Sequence, residues 1–270
     1  MASTNGGPEK QMSEAIYMER AGAVATVVLN RPEKLNAMSL AVFRRLREIM
    51  EACDRDTNLR CVVIRGAGGR AFCVGADIAE FEATRSTADR ARAYAQISHP
   101  AFAAIRACRH PVIALIEGLC VGGGLAVAAL CDLRVCGESS RFGVPVKRLG
   151  LVEGHDEMES LLRLVGTATT LEMLFSGDLL DASAALRVGL VNRVVPDARV
   201  AEETHALAGR IAEGAPLAAR WHKQFAYDLA AMKPLCAADK DAAYLCFDTE
   251  DFQIGFRAFL AKTKPQFVGR

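Results

Sequence analysis

A chain of 270 residues has room for one large domain, or for a core domain with a smaller appendage. Half of its residues are hydrophobic (51%) and a quarter are charged (24%), which is ordinary for a globular protein. The formal net charge of +1 gives no electrostatic reason to expect nucleic acid or an anionic membrane as a partner. The longest apolar stretch, residues 112–130, contains Glu117 and several glycines, which argues against a membrane span.

The predicted elements alternate between strands and helices in the first half of the chain. Residues 1–13 are polar and glycine-containing, and we expect them to be disordered. Hydrophobic periodicity and β-branched runs then predict strands at residues 23–29, 59–65, 112–119 and 133–136, and helices at residues 39–54, 88–108 and 122–130. Such alternation predicts an α/β core, which we place at residues 14–200.

Beyond residue 155 the pattern becomes helical. The predicted helices cover residues 156–164, 167–175, 182–188, 198–213, 215–231, 235–247 and 250–262, and glycines separate several of them. We place a helical C-terminal region at residues 201–270. A helical region of this kind next to an α/β core often packs against a neighbouring subunit, so we expect an oligomer.

The nine cysteines indicate a reducing environment. They form no Cys-x-x-Cys pair and no Cys/His cluster with the spacing of a zinc site, so we expect no metal. Most lie within apolar runs, such as residues 61–64, which is typical of reduced core cysteines. No basic region followed by an apolar stretch is found at the N-terminus, so no secretory signal is predicted. We therefore expect a cytoplasmic protein.

Two glycine-containing segments carry the clearest chemical signal. Residues 72–78 read Phe-Cys-Val-Gly-Ala-Asp-Ile, and residues 118–124 read Gly-Leu-Cys-Val-Gly-Gly-Gly. Glycine and alanine leave backbone N–H groups unobstructed, and the second segment opens a helix whose dipole favours negative charge. Two such amides that converge on one oxygen would form an oxyanion hole. The alternative is that residues 122–124 only tighten a strand-to-helix connection.

These segments and four others resemble the enoyl-CoA hydratase/isomerase family, the crotonase superfamily. The motifs that carry the resemblance are residues 30–39 (Asn-Arg-Pro-Glu-Lys-Leu-Asn-Ala-Met-Ser), Gly75-Ala76-Asp77-Ile78, residues 110–114, the glycines at 118 and 122–124, Cys131-Asp132 and residues 265–270. The resemblance implies a spiral of ββα repeats with a helical C-terminal trimerisation region, hence a homotrimer or a hexamer built as a dimer of trimers. It also implies an acyl-CoA thioester as substrate, with no cofactor beyond the coenzyme A moiety.

The resemblance also assigns roles by matched position. The oxyanion donors would be the backbone N–H groups of Ala76 and Gly123. The residues that would contact coenzyme A are Lys34, Leu35, Ala37, Val74, Asp77, Ile78, Phe259 and Lys262, the last two often across a subunit interface. Alternative readings are that Asp77 only orders its loop, that Phe259 is a core residue and that Lys262 is a solvated cation at a helix end.

The chain departs from the family pattern where the hydratases place two glutamates that hold and share a water. This chain has Ala126 two residues after the glycine triplet, and it has Val146 where Phe142-Gly143-Val144-Pro145 would be followed by glutamate. Neither side chain can move a proton. The sequence therefore argues against hydration by the two-glutamate route.

A second departure lies in the loop that should read Pro-Gly-x-Gly-Gly. Residues 153–159 read Glu-Gly-His-Asp-Glu-Met-Glu instead, and Glu153, His155 and Asp156 are candidates for a displaced acid or base. The alternative is that the acidic residues at 156, 157 and 159 only favour a solvated helix N-terminus through its dipole. The histidines at 99, 110, 205 and 222 are expected to be structural.

The leading prediction is an enzyme that stabilises an acyl-CoA enolate between Ala76 and Gly123. With both glutamates absent, double-bond isomerisation by one base, Glu153 or His155, fits better than hydration. The rival prediction is a non-catalytic acyl-CoA-binding protein that keeps the fold and the pocket. A third possibility is other enolate chemistry, such as decarboxylation or thioester hydrolysis.

Overall fold

The computed structural model describes residues 14–270, so the disorder predicted for residues 1–13 lies outside the described part of the chain. The strands in chain order are β1 (Ile16–Ala21), β2 (Val24–Leu29), β3 (Cys61–Gly66), β4 (Ala71–Cys73), β5 (Val112–Ile116), β6 (Leu119–Val121), β7 (Leu133–Gly137), β8 (Arg141–Gly143), β9 (Leu180–Asp181) and β10 (Arg193–Val195). They form a larger sheet of order β1-β2-β3-β5-β7-β10 and a smaller sheet of order β4-β6-β8-β9. All pairs are parallel except β1 with β2 and β8 with β9.

The helices connect and cover these sheets. In chain order they are α1 (Leu40–Arg55), α2 (Phe81–Arg85), α3 (Ala88–Ala107), α4 (Gly123–Leu130), α5 (His155–Ser176), α6 (Ala182–Arg187), α7 (Val200–Ala212), α8 (Pro216–Ala230), α9 (Ala237–Asp241) and α10 (Glu250–Ala261). Short 3-10 helices lie at Pro32–Lys34, Ile78–Glu80, Pro145–Leu149, Asp197–Arg199 and Ala242–Asp248. Helix α5 is interrupted at Gly166, whose φ of 73° no other residue type adopts easily.

A ββα unit occurs three times in succession. In the units β3-β4-α3, β5-β6-α4 and β7-β8-α5, the first strand joins the larger sheet and the second joins the smaller sheet. The spiral of ββα repeats expected from the sequence is therefore confirmed. Strands β4 and β6 are parallel neighbours in the smaller sheet, so the loops that follow them begin at the same edge of that sheet. Ligand sites in parallel sheets form at this edge, at the carboxyl ends of the strands.

The core follows from strands that are buried on both faces. Cys61, Val62, Val63 and Ile64 of β3 are fully buried. Val62 and Ile64 face the main core with α1 and α3, whereas Cys61 and Val63 face a second cluster with Val200 and Ala208 of α7. This is the arrangement expected of parallel strands covered by helices on both sides.

The prediction of an entirely helical second half was wrong. Strands β9 and β10 return to the two sheets within the segment predicted to be helical, and the strand predicted at residues 112–119 is divided into β5 and β6 by a turn at Glu117 and Gly118. β9 and β10 contain two and three residues, so they depend on pairing with β8 and β7 rather than on a local hydrophobic pattern. The segment predicted as one helix at 235–247 is α9 followed by a 3-10 helix.

Helix α8 is tied to the core by a partly buried polar network. Asp132, at the start of β7, accepts hydrogen bonds from Lys223 Nζ at 2.8 Å and from Tyr227 Oη at 2.8 Å, both on α8. Farther along, α10 leaves Phe256 and Phe259 exposed beside an apolar cleft of about 420 Å³ that Trp221 and Cys246 also line. Trimerisation through this region stays a prediction.

The cysteines divide into two groups. Seven are buried, and burial raises the pKa of several of their thiols, including Cys61, Cys73 and Cys131, to about 12. Cys236 is exposed and Cys246 is partly exposed, both in the C-terminal region. Within residues 14–270, no helix has the length and apolar character needed to cross a membrane.

Candidate active site

The glycine segments of the sequence form one wall of a cavity, which we call the backbone wall (residues 74–76 and 121–123). Gly75 has a φ of 96° and Gly122 a φ of 55°, conformations that L side chains rarely adopt. A Cβ on Gly75 would lie only 2.9 Å from Gly123 N, and a Cβ on Gly123 would lie 3.8 Å from Ala76 N. The amides of Ala76 and Gly123 are therefore neighbours, and neither has a hydrogen-bond acceptor among the described residues.

A polar network fixes the position of the loop that carries Ala76. The Asp77 carboxylate accepts hydrogen bonds from Arg31 at 2.9 Å and from Lys34 at 3.0 Å, and it caps the following 3-10 helix through Ala79 N. Burial alone would raise the pKa of Asp77, but the hydrogen bonds from Lys34 and Arg31 hold it below its usual range. Met38 adds two backbone hydrogen bonds, to Gly75 O and from Asp77 N.

This network brings together several of the residues that the sequence assigns to coenzyme A. Lys34 and Leu35 lie in the loop that the Asp77 carboxylate holds, and Ala37 is buried beside them. Val74 and Ile78 line the cavity with the backbone wall, and Ile78 is exposed at its edge. Phe259 and Lys262 do not line this cavity, because they lie at the C-terminal end of α10.

The cavity has a volume of about 370 Å³ and is closed on another side by α3. The residues of α3 that line it recur at helical spacing along one face: Ala91, Tyr94, Ala95, Ser98, His99 and Phe102. Small residues on this face leave the space open, while Tyr94 and His99 bring polar groups to it. Phe43 of α1 packs edge-on against both Tyr94 and Phe102, which anchors this face in the core.

Glu153 is the one candidate base of the sequence analysis that lines the cavity. It lies directly before Gly154, the N-cap of α5. Burial first, and then the neighbouring carboxylate of Glu157, raise the pKa of Glu153 to about 7, and the Arg85 guanidinium opposes this shift. A carboxyl group with this pKa exchanges protons readily near neutral pH.

Glu157 lines the cavity beside Glu153. Its side chain is 15% exposed, its Oε1 lies 3.6 Å from His99 Nε2, and its Oε2 is buried without a hydrogen-bond partner among the described residues. Glu157 folds back over the N-cap, where a Cβ on Gly154 would overlap Glu157 Oε2. The glycine at 154 therefore makes room for this second carboxylate.

The other candidate acid–base residues point elsewhere. His155 is exposed and does not line the cavity. Asp156 is also exposed, and its Oδ2 lies 3.3 Å from His99 Nδ1 on the outer side of that ring. Ala126 is buried inside α4, and Val146 lines the cavity as an apolar residue.

Sequence reasoning missed four ionisable residues of the cavity, namely Arg85, Tyr94, His99 and Glu157. His99 was expected to be structural, and Glu157 was assigned to a solvated helix N-terminus. The helical spacing of the α3 face was present in the sequence, but which side of α3 faces the cavity depends on how α3 packs against α1. We call Arg85, His99, Glu153 and Glu157 the ionisable wall.

The fold and these motifs define a family, and comparison with known proteins agrees. The family model described as Enoyl-CoA hydratase/isomerase matches residues 19–270, so the chain belongs to this family. A crotonyl-CoA hydratase of Syntrophomonas wolfei is 32% identical over 259 residues, covering 95% of this chain and 99% of the relative. A short-chain-enoyl-CoA hydratase of Clostridium acetobutylicum is 31% identical over 254 residues, covering 92% and 95%.

A solved structure shares the whole fold. The crystal structure of an enoyl-CoA hydratase/carnithine racemase from Magnetospirillum magneticum matches with a TM-score of 0.93 and 44% identity, covering 95% of this chain and 96% of that chain. The family and the fold class predicted from the sequence are therefore confirmed.

Proposed function

We propose that this protein binds an acyl-CoA thioester, stabilises its enolate between the N–H groups of Ala76 and Gly123, and moves the α-proton with Glu153. The observation that carries the proposal is the arrangement of one cavity. Two adjacent amides without an acceptor lie in one wall, and a buried carboxyl group with a pKa of about 7 lies in another. Preorganised N–H donors of this kind contribute roughly 3 kcal/mol each to the stabilisation of a developing oxyanion.

Isomerisation follows from one base and one oxyanion hole. The Glu153 carboxylate takes a proton from the α-carbon of a β,γ-unsaturated thioester, and the electron pair moves onto the thioester oxygen as an enolate. The enolate then collapses as the Glu153 carboxyl group returns a proton to the γ-carbon, so that the double bond ends between the α- and β-carbons and Glu153 is again a carboxylate. Neither Ala126 nor Val146 can take part, and His155 lies outside the cavity.

Coenzyme A binding is proposed to extend from the backbone wall across Val74, Ile78 and the loop of Lys34, Leu35 and Ala37. The Lys34 side chain is 46% exposed, so its ammonium group can reach a phosphate while Asp77 orients it. Phe259 and Lys262 are proposed to contact the nucleotide portion from a neighbouring subunit of a homotrimer or a dimer of trimers. No cofactor beyond coenzyme A enters this scheme.

Hydration is the second candidate because Glu157 supplies a second carboxyl group in the same cavity. One carboxylate could activate a water while the other handles the α-proton. The relatives compared above carry hydratase names. A non-catalytic acyl-CoA-binding protein remains the rival from another class.

An incubation in heavy water distinguishes isomerisation, hydration and binding without chemistry. The protein is incubated in heavy water with 3-butenoyl-CoA and, separately, with crotonyl-CoA, and mass spectrometry follows the thioesters. Isomerisation converts 3-butenoyl-CoA to crotonyl-CoA with deuterium on carbon and no added water. Hydration adds one water to crotonyl-CoA and would replace isomerisation as the assigned reaction. Saturable binding of both thioesters without deuterium exchange would contradict the enolate chemistry altogether.

A further inference from the structure

One end of the cavity holds the Arg85 guanidinium group, which has no ion-pair partner among the described residues. The guanidinium carbon of Arg85, the last residue of α2, lies 3.7 Å from the centroid of the Tyr94 ring and 4.8 Å from that of Phe81. Two aromatic faces therefore hold the guanidinium group against the cavity. Within residues 14–270, no carboxylate lies within ion-pair distance of Arg85.

Two buried polar atoms at this position are unsatisfied. Arg85 Nε and Tyr94 Oη are both inaccessible, and neither has a hydrogen-bond partner in the described part of the chain. Tyr94 is only 4% exposed. Burial raises the pKa of the Tyr94 phenol and the nearby guanidinium opposes this shift, but no hydrogen bond of ordinary geometry joins the two groups. Native structures rarely leave buried donors unpaired, so a missing acceptor is implied.

The charges around Arg85 leave room for an anion. Glu157 lines the same cavity, but its Oε1 faces the His99 ring, 3.6 Å from Nε2. Glu153 has a pKa of about 7 and is therefore substantially protonated at neutral pH. Glu80, on the 3-10 helix before α2, uses its Oε2 to accept a hydrogen bond from Leu40 N. None of these carboxylates provides the acceptor that Arg85 and Tyr94 lack.

We propose that Arg85 and Tyr94 bind a carboxylate at the far end of the acyl group, so that the substrate is the mono-CoA thioester of an unsaturated dicarboxylic acid. The guanidinium group supplies the charge, and the phenol donates a hydrogen bond to the same carboxylate. The contacts with the Phe81 and Tyr94 rings hold the guanidinium group in position before the ligand arrives. This inference rests on the function proposed above and specifies its substrate class.

Binding of two matched thioesters tests this inference. Glutaconyl-CoA carries the carboxylate, and 5-methylhex-2-enoyl-CoA replaces it with an uncharged isopropyl group of similar size. Calorimetry with the wild-type protein is expected to give a Kd for glutaconyl-CoA at least 10-fold lower, because a hydrogen-bonded charge pair discriminates by roughly 10- to 100-fold. Equal Kd values for the two thioesters would overturn the inference.

Substitutions at Arg85 and Tyr94 test whether these residues cause the preference for glutaconyl-CoA over the isopropyl analogue. Arg85→Met keeps the stacked, unbranched side chain and is expected to raise the Kd of glutaconyl-CoA by roughly 10- to 100-fold, with little effect on the isopropyl analogue. Tyr94→Phe should raise the Kd of glutaconyl-CoA by roughly 3- to 10-fold. Arg92→Met, which removes an exposed arginine of α3, is the matched control and should change neither Kd. An equal loss of affinity for both thioesters in Arg85→Met would mean that Arg85 is structural.

A deuterium-exchange assay tests the proposed enolate chemistry separately from the proposed carboxylate site. Both thioesters are also assayed for deuterium exchange at carbon. Selective binding of glutaconyl-CoA without exchange would support the carboxylate site and contradict the enolate chemistry. Exchange in both thioesters with equal Kd values would support the enolate chemistry and overturn the carboxylate site. If Arg85→Met does not fold, the Tyr94→Phe variant and the wild-type selectivity still decide the outcome.

Discussion

The backbone wall of the cavity is formed by main-chain atoms, whereas the ionisable wall is formed by side chains. The backbone wall consists of main-chain atoms that two left-handed glycines and the Asp77 network hold in place. The ionisable wall consists of side chains from α2, α3 and the start of α5, and it carries the charged groups of the cavity. Gly75, Ala76 and the glycines at 122 and 123, which belong to the family motifs, lie in the first wall, whereas Glu153 and Glu157, from a segment that departs from the family pattern, lie in the second.

This contrast separates two tasks of an enzyme. Main-chain donors can stabilise an enolate oxygen whatever the proton chemistry is, because they carry no proton that must be moved. Side chains decide which carbon or water gains or loses a proton, and they can be replaced without disturbing the oxyanion hole. In this chain residues 126 and 146 are alanine and valine, and the carboxyl groups that line the cavity are those of Glu153 and Glu157.

The largest expected loss of activity comes from replacing Glu153 in the ionisable wall. Glu153→Gln removes the proposed base while keeping the size of the side chain, so kcat should fall by about 10²- to 10⁴-fold. The Kd of an acyl-CoA thioester should change little, because the backbone wall is untouched. Glu159→Gln, an exposed residue of α5 that pairs with Arg163, is the control. Full activity of Glu153→Gln would remove Glu153 from the mechanism.

The next effect tests the backbone wall. In Gly123→Ala the new methyl group meets only ordinary van der Waals contacts, the nearest being Gly75 Cα at 3.5 Å, so the variant should fold. The methyl group nevertheless lies 3.8 Å from Ala76 N and obstructs the space where the oxyanion would bind. Activity should fall by about 10²- to 10³-fold with little change in melting temperature.

Gly209→Ala is the matched control for that variant, because Gly209 lies in α7 and a Cβ there would have no atom of residues 14–270 within 4 Å. Its activity should equal that of the wild type. If Gly123→Ala also retained wild-type turnover, the oxyanion hole would have to lie elsewhere.

The third prediction concerns how the free energy of unfolding depends on pH through Glu153 of the ionisable wall. The pKa of Glu153 rises from 4.5 to about 7 on folding, so this group makes the folded state less favourable as the pH rises from 4.5 through 7. Glu153→Gln should therefore be more stable than the wild type above pH 7, by at most about 3 kcal/mol, and should show no such gain near pH 4. Chemical denaturation at pH 4, 6 and 8 measures the difference. A gain that is independent of pH would point to packing rather than to ionisation.

The smallest effect concerns the interaction between the two carboxyl groups. Catalysis by ionised Glu153 should give a rate that rises with pH through about 7. Gly154→Ala would displace Glu157 Oε2, which a Cβ at 154 overlaps. Because the Glu157 carboxylate raises the pKa of Glu153, its displacement should move this acidic limb of the profile to lower pH. An unchanged limb would show that burial alone sets the pKa of Glu153.

The sequence predicted the backbone wall because its signal is local. Gly75, Ala76 and the glycines at 122–124 form contiguous motifs, and the resemblance assigned them to neighbouring positions. The long helices α1 and α3 were also predicted, since their hydrophobic periodicity extends over several turns. Strands of two or three residues, such as β9 and β10, have too few side chains to show a period.

The ionisable wall could be predicted only in part, because it depends on helix orientation. Asp156 and Glu157 are adjacent in sequence, yet a helix turns by about 100° per residue, so one faces solvent and the other faces the cavity. His99 and Tyr94 were hidden for the same reason. Their roles follow from the packing of α3 against α1, which a single sequence does not specify.

The distribution of thiols has a practical consequence for studying this protein. The cysteines near the cavity are buried with strongly raised pKa values, so a thiol-reactive fluorophore should not attach to them in the native state. Cys236 and Cys246 are the accessible thiols of the described residues, and Cys246 lines the apolar cleft beside Phe256. A dye at these positions would report on the C-terminal cleft while leaving the cavity chemically unlabelled.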